Sequence, residues 1–110
     1  MAKKICHLHD EPEKNRAILR VDRDTLDMSE QQEFRDNCRE LMSSSHDRLY
    51  VDLRSLRSLL SIYLDIVLEA NNEARAAGKK FTVLVRERLG DLFRTVIGPE
   101  LMDISSEDPE

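Results

Sequence analysis

Glycine and proline are scarce in this chain, three of each in 110 residues, and tryptophan is absent. So few glycines make backbone cradles for nucleotide phosphates hard to build, and no Gly-rich phosphate loop, HExxH or GxSxG motif occurs. The only cysteines, Cys6 and Cys38, lack CxxC spacing and a nearby histidine pattern, and they read as buried thiols of a reducing cytoplasm. No apolar run reaches membrane-spanning length, and Met1-Ala2-Lys3-Lys4 leads into no long apolar segment of the kind that directs export. Internal repeats and low-complexity stretches are lacking as well.

What is present suits one folded domain. Hydrophobic residues make up 40% of the chain and charged residues 35%, too apolar a balance for a disordered chain. A chain of this length buries roughly 65% of the surface it exposes unfolded, enough for one core and too little for two. The formal net charge of −5 disfavours phosphate backbones and anionic lipids as partners. Arg86, Arg88 and Arg94 fall close together, as a basic docking patch or as an ordinary solvated surface.

Ile5–His9 alternates apolar and polar residues as a half-buried strand does. The polar run Asp10–Asn15 reads as a turn and Ala17–Val21 as a second strand, so the two predict an antiparallel hairpin. Ser29 and Gln32 have the spacing of a capping box, and Phe34, Cys38, Leu41 and Met42 then form a helical stripe that should end in Ser43-Ser44-Ser45-His46. Leu49–Leu53 is short and nearly all apolar, as a strand covered on both faces would be. A second helix is expected over Ser61–Ala77, closed by Gly78, and Phe81–Val85 repeats the buried-strand pattern. Leu89, Leu92, Phe93, Val96 and Ile97 mark a third helix, closed by Gly98-Pro99. The order is β-β-α-β-α-β-α, with room for a short last strand near Leu101–Ile104; the strand–helix–strand alternation implies parallel pairing through right-handed crossovers. Residues 1–104 form the domain and the acidic stretch Ser105–Glu110 reads as a frayed tail.

From Val51 onward several features coincide: the strand Val51-Asp52-Leu53, a short link to Ser61, a long helix ending in Ala74-Arg75-Ala76-Ala77-Gly78-Lys79-Lys80, and the strand Phe81–Val85. This pattern resembles the STAS domain family, whose best-known members are bacterial anti-sigma factor antagonists. Ile18–Val21 followed by Asp24-Thr25-Leu26-Asp27 is similar to the family's G-x-L-D element ahead of its first helix. The resemblance runs from about Lys4 to Ile104. It implies an α/β fold with a mixed central sheet of four to five strands and helices packed mainly on one face. Counting forward from Asp52 and back from Gly78 sets Ser61 at the family's phosphoacceptor serine, although Leu60, Ile62 and Tyr63 stand where the family has aspartate, a small polar residue and glycine. By the same resemblance, a partner kinase of the anti-sigma type phosphorylates the serine and breaks the complex, and a phosphatase restores it.

The residues also have plainer readings. Ser61 precedes an apolar-periodic run, where serine commonly caps a helix, and a cap and a phosphoacceptor are compatible. Ser58 is the alternative acceptor or a loop serine. Leu64, Val67, Leu68 and Asn71 lie along one side of the second helix and Ile62, Ile66 and Ala70 along another, wider than one sheet contact needs. The excess implies either burial against an adjacent helix or an exposed docking strip headed by Tyr63, with Ile62, Tyr63, Asp65, Ile66 and Asp27 as partner-binding residues. His7 and His9 share one strand face at a spacing that can hold a metal, but His46 is a weak third ligand, and solvent-facing histidines are the expectation. Asp52, at the end of a buried strand, reads as structural, accepting backbone N–H bonds around the Ser61 turn. These readings converge on a non-catalytic, cytoplasmic regulatory module without cofactor or metal, bound to a serine kinase and a phosphatase and compatible with a homodimer. The alternative is a constitutive adaptor or assembly subunit in which Ser61 is only a cap.

Overall fold

The computed structural model describes residues 5–57, 61–97 and 102–109, with Ser61 and Ile97 described by their backbone. The hairpin consists of β1 (Cys6–Glu11) and β2 (Arg16–Val21), joined by a 3₁₀ turn over Pro12–Lys14. Then follow α1 (Met28–Met42), β3 (Arg48–Asp52), α2 (Ser61–Ala76), β4 (Lys80–Leu84), α3 (Glu87–Ile97) and β5 (Asp103–Ser105). The strands form one sheet in the order β1-β2-β3-β4-β5, with β1 antiparallel to β2 and the other neighbours parallel. Right-handed crossovers that all step the same way across a sheet put their helices on one face.

The pleat sorts the strands accordingly. Cys6, Ala17, Leu19, Val21, Leu49, Val51, Phe81 and Val83 point to the helix side and are buried. On the other face Tyr50 and Thr82 are half-buried while Asp52 and Leu84 are buried, so β3 and β4 are covered on both faces only at their carboxyl ends. At the hairpin turn Asn15 takes the left-handed conformation (φ 51°), which asparagine tolerates better than most residues. Its side chain donates to Asp47 Oδ2 at 2.8 Å and accepts from the Asp47 N–H at 3.2 Å, which ties the turn to the start of β3.

The helix starts show one displacement from the sequence reading. The capping box is Asp27 with Glu30, not Ser29 with Gln32: Asp27 Oδ1 accepts from the Glu30 N–H at 2.8 Å, and Glu30 Oε1 accepts from the Asp27 N–H at 3.0 Å. Both pairs have the motif's spacing, and aspartate caps as well as serine. Ser29 donates its hydroxyl to Asp27, and Gln32 reaches forward to Asp36. Gly78 has φ +73°, the left-handed cap expected at the end of α2. The proposed closure of α3 at Gly98-Pro99 lies outside the described residues.

The width of α2 has a structural use. Tyr63, Ile66, Val67, Ala70 and Ala74 are buried, and Ile62, Leu64 and Leu68 pack half-buried against the same core. Part of this surface meets α1, whose Phe34, Cys38 and Leu41 are buried. The broad stripe is therefore burial against a neighbouring helix.

On α3, Gly90 sits mid-helix without needing glycine's freedom. A Cβ there would lie 3.4 Å from the end of the flexible Arg94 side chain and 3.5 Å from Val85. Gly90→Ala is expected to stabilise the domain by about 0.5–1 kcal/mol, because it removes backbone freedom from the unfolded chain. A urea midpoint below that of the wild type would contradict this.

Candidate functional site

The carboxyl ends of β2, β3 and β4 share one edge of the sheet, and the N-termini of α1, α2 and α3 follow from it. In open α/β sheets this is the edge where loops are free to serve function. Here the loops brace one another. Leu53 N–H donates to Leu84 O at 2.7 Å, Arg57 N–H to Asp24 O at 3.0 Å, and Arg86 Nε to Arg54 O at 2.8 Å. Tyr63, in the first turn of α2, reaches across to the loop before α1: its hydroxyl accepts from the Leu26 N–H at 2.8 Å and lies 3.4 Å from both Leu26 O and Thr25 Oγ1.

Ser61 is the first residue of α2, on this edge. Ser58 lies outside the described residues. Of the residues assigned to partner contact, Asp27 and Asp65 are exposed and Ile62 is half-buried. Tyr63 and Ile66 are corrections: at 0% and 2% exposure they belong to the core and present no surface. The strip imagined along α2 is thus broken at both positions. Among the described residues, the large apolar side chains that do face solvent are Met28, at 85% exposure, and Leu92 and Val96 on α3. Met28 went unremarked in the sequence, although it falls off the helical stripe of Phe34, Cys38 and Leu41. Of the single α3 stripe that the sequence suggests, Leu89 and Phe93 are buried while Leu92 and Val96 face solvent.

Asp52 is structural, and among the described residues its bonds come from Arg54. Its Oδ1 accepts from the Arg54 N–H and Nε, both at 3.0 Å, and its Oδ2 accepts from Arg54 Nη2 at 2.9 Å. That fork holds the Arg54 guanidinium firmly charged, and Asp108 adds to it from the opposite side. His7 and His9 are exposed, with His7 Nε2 at 3.1 Å from Asp22, while His46 lies 3.5 Å from Asp10. Among the described residues no three His, Cys, Asp or Glu side chains gather as metal ligands. Arg86, Arg88 and Arg94 are exposed; Arg86 and Arg94 donate to the backbone carbonyls of Arg54 and Ile104. Cys6 and Cys38 are buried and form no disulfide, and burial pushes the Cys38 thiol well above its ordinary range, so it stays protonated and unreactive. No helix among the described residues is long and apolar enough to cross a membrane.

Two carboxylates tie acid stability to this geometry. The Asp27 carboxyl is held below its usual range, first by the Glu30 N–H and then by the Ser29 hydroxyl. Glu11 is lowered chiefly by its hydrogen bond from Arg16. Groups with lowered folded-state values stabilise above their unfolded values and lose that contribution as pH falls through the folded ones. The melting temperature should therefore begin to fall below about pH 4.5, the ordinary value for glutamate, and keep falling through the Asp27 range. An Asp27→Asn, Glu11→Gln double variant should show a shallower decline; a slope identical to the wild type would refute the assignment.

No protein-family model matches the chain, and no curated protein sequence matches it. Solved structures do. An anti-sigma-factor antagonist (STAS) domain protein from Planctomyces limnophilus superposes with a TM-score of 0.78 at 10% identity, over 94% of this chain and 91% of that one. A protein of Thermotoga maritima assigned as an anti-sigma factor antagonist does so with a TM-score of 0.72 at 13% identity, over 93% of this chain and 85% of that one. With its hairpin-led, otherwise parallel five-stranded sheet and three crossover helices, this chain has the STAS fold.

Proposed function

We propose that this domain is a non-catalytic regulatory module that binds other proteins, an anti-sigma factor antagonist in type, switched by phosphorylation of Ser61. The observation that carries this reading is the position of Ser61 as first residue of α2, on the loop-bearing edge of a STAS fold. A phosphate there adds about −1.5 to −2 charges at the positive end of a helix macrodipole, which the fold tolerates. A partner docked beside it meets repulsion and the cost of desolvating the phosphate. The contact surface we assign comprises Asp27, Met28, Ile62 and Asp65, which are at least partly accessible. Its partners are a serine kinase of the anti-sigma type and a matching phosphatase, in the cytoplasm; a homodimer is compatible with this surface.

A second reading has its own support. Where the family pattern has a glycine, Tyr63 is committed to the core and to the Leu26 backbone, which favours a constitutive adaptor in which Ser61 only caps α2. Ser61→Asp separates the two. Under the switch reading the variant melts with the wild type and loses its partner. A melting temperature lowered by many degrees, or a complex indifferent to the substitution, favours the constitutive adaptor.

A further inference from the structure

The face of the sheet that carries no helix holds a cavity of about 460 Å³, the size of a small-ligand or short-peptide site. Its floor includes Ile18 and Leu84, and Arg16, Arg20 and Arg54 line it on the protein side. Solvent should bathe such a face, yet Leu84 is 1% exposed, Arg16 4% and Asp52 6%. Part of the cover is the segment after β5. Pro109 is half-buried against the cavity, and Asp108 Oδ1 accepts from Arg54 Nη1 at 2.6 Å.

The charges there are unequal. Three guanidinium groups, with His7 and His9 beside them, line a space where, among the described residues, Asp52 is the one lining carboxylate outside the covering segment. Arg16 is engaged by Glu11 at 2.9 Å and stacks 5.9 Å from the centroid of Tyr50. Arg20 pairs at the surface with Asp22. Arg54 spends Nε and Nη2 on Asp52 and turns Nη1 outward, and it is this outward nitrogen that Asp108 meets. An apolar floor next to an outward guanidinium N–H fits a peptide with an acidic side chain beside an apolar or proline residue.

We infer that this face is a docking site for an acidic peptide segment of a partner protein, and that residues 106–109 hold it in cis until displaced. The inference rests on residues other than Ser61 and stands whether or not Ser61 is a switch. An intramolecular occupant acts at an effective concentration in the millimolar range, so it masks weak binding in trans.

The test uses the full chain labelled with ¹⁵N and a capped synthetic peptide, Ser-Ser-Glu-Asp-Pro, as probe. In Asp108→Ala, where the cis anchor is gone, the peptide should move the amide signals of Ile18, Tyr50 and Arg54 saturably. Wild type should need about fivefold more peptide for the same shift. Arg20→Ala and Arg54→Lys, each added to Asp108→Ala, should weaken binding; Arg20 is exposed and Arg54→Lys keeps a cation against Asp52, so both should fold, which the amide spectrum itself reports. A peptide with Gln and Asn in place of Glu and Asp should not bind. Absence of these shifts in Asp108→Ala, equal affinity of wild type and Asp108→Ala, or equal binding of the neutral peptide would each overturn the inference.

Discussion

Tyr63→Ala should cost about 3–5 kcal/mol, the usual range for deleting a fully buried aromatic side chain. Tyr63 has 0% exposure and is among the largest fully buried side chains of the domain. Tyr63→Phe dissects that loss. It keeps the ring but leaves the Leu26 N–H, now paired at 2.8 Å, without an acceptor, and should cost about 1–3 kcal/mol. Because the bond spans 37 positions of sequence, its loss should also loosen the loop ahead of α1. Chemical denaturation of both variants, with hydrogen exchange of the Leu26 amide, checks the pair. If Tyr63→Phe matched the wild type in stability and in protection of that amide, the clamp would have no energetic role.

The Asp52–Arg54 fork predicts an asymmetry that its shared bonds alone would not. Among the described residues, Arg54→Ala removes every side-chain donor from a carboxylate that is 6% exposed and leaves it the N–H of residue 54. Stranding a buried charge costs about 3–5 kcal/mol when burial is complete, and about 2–4 kcal/mol is expected here. Asp52→Ala strands the other partner, but the Arg54 side chain is 32% exposed and keeps Asp108, so about 1–2 kcal/mol is expected. Urea unfolding of the two single variants measures both. Equal losses, or a larger loss for Asp52→Ala, would mean that the desolvated carboxylate is not what makes this pair costly to break.

The sequence carried the architecture unusually far, for a physical reason. The early elements have the period their environment demands: two along Ile5–His9 and 3.6 along Phe34, Cys38 and Leu41. Gly78 marks the end of α2, where a positive φ is needed. Boundaries were less legible. Asp27-x-x-Glu30 and Ser29-x-x-Gln32 are both capping boxes on paper, and only the contacts of the first turn choose between them.

The contact surface around Ser61 was the least legible part. Periodicity reports that α2 has a second apolar side, but not whether solvent or α1 meets it, since that depends on helix–helix packing rather than on local order. Tyr63 shows the same limit. An amphipathic ring near a helix start suits a surface as well as a core, and the Leu26 backbone groups that satisfy its hydroxyl lie far away in sequence. The cover over the helix-free face was likewise hidden. Nothing in an acidic run such as Ser105–Glu110 announces that Asp108 meets an arginine 54 positions earlier, and β5 itself ends at Ser105, one residue past the expected domain boundary.

The central claim is that the state of Ser61 decides whether a partner binds, and capture from lysate of the source organism tests it most directly. Wild type, Ser61→Ala and Ser61→Asp are each immobilised, and the retained proteins are identified by mass spectrometry. The account predicts that wild type and Ser61→Ala retain a serine kinase of the anti-sigma type, and that Ser61→Asp, folded and melting with the wild type, does not. Retention of the same kinase by all three would contradict it and leave Ser61 a helix cap on a constitutive adaptor.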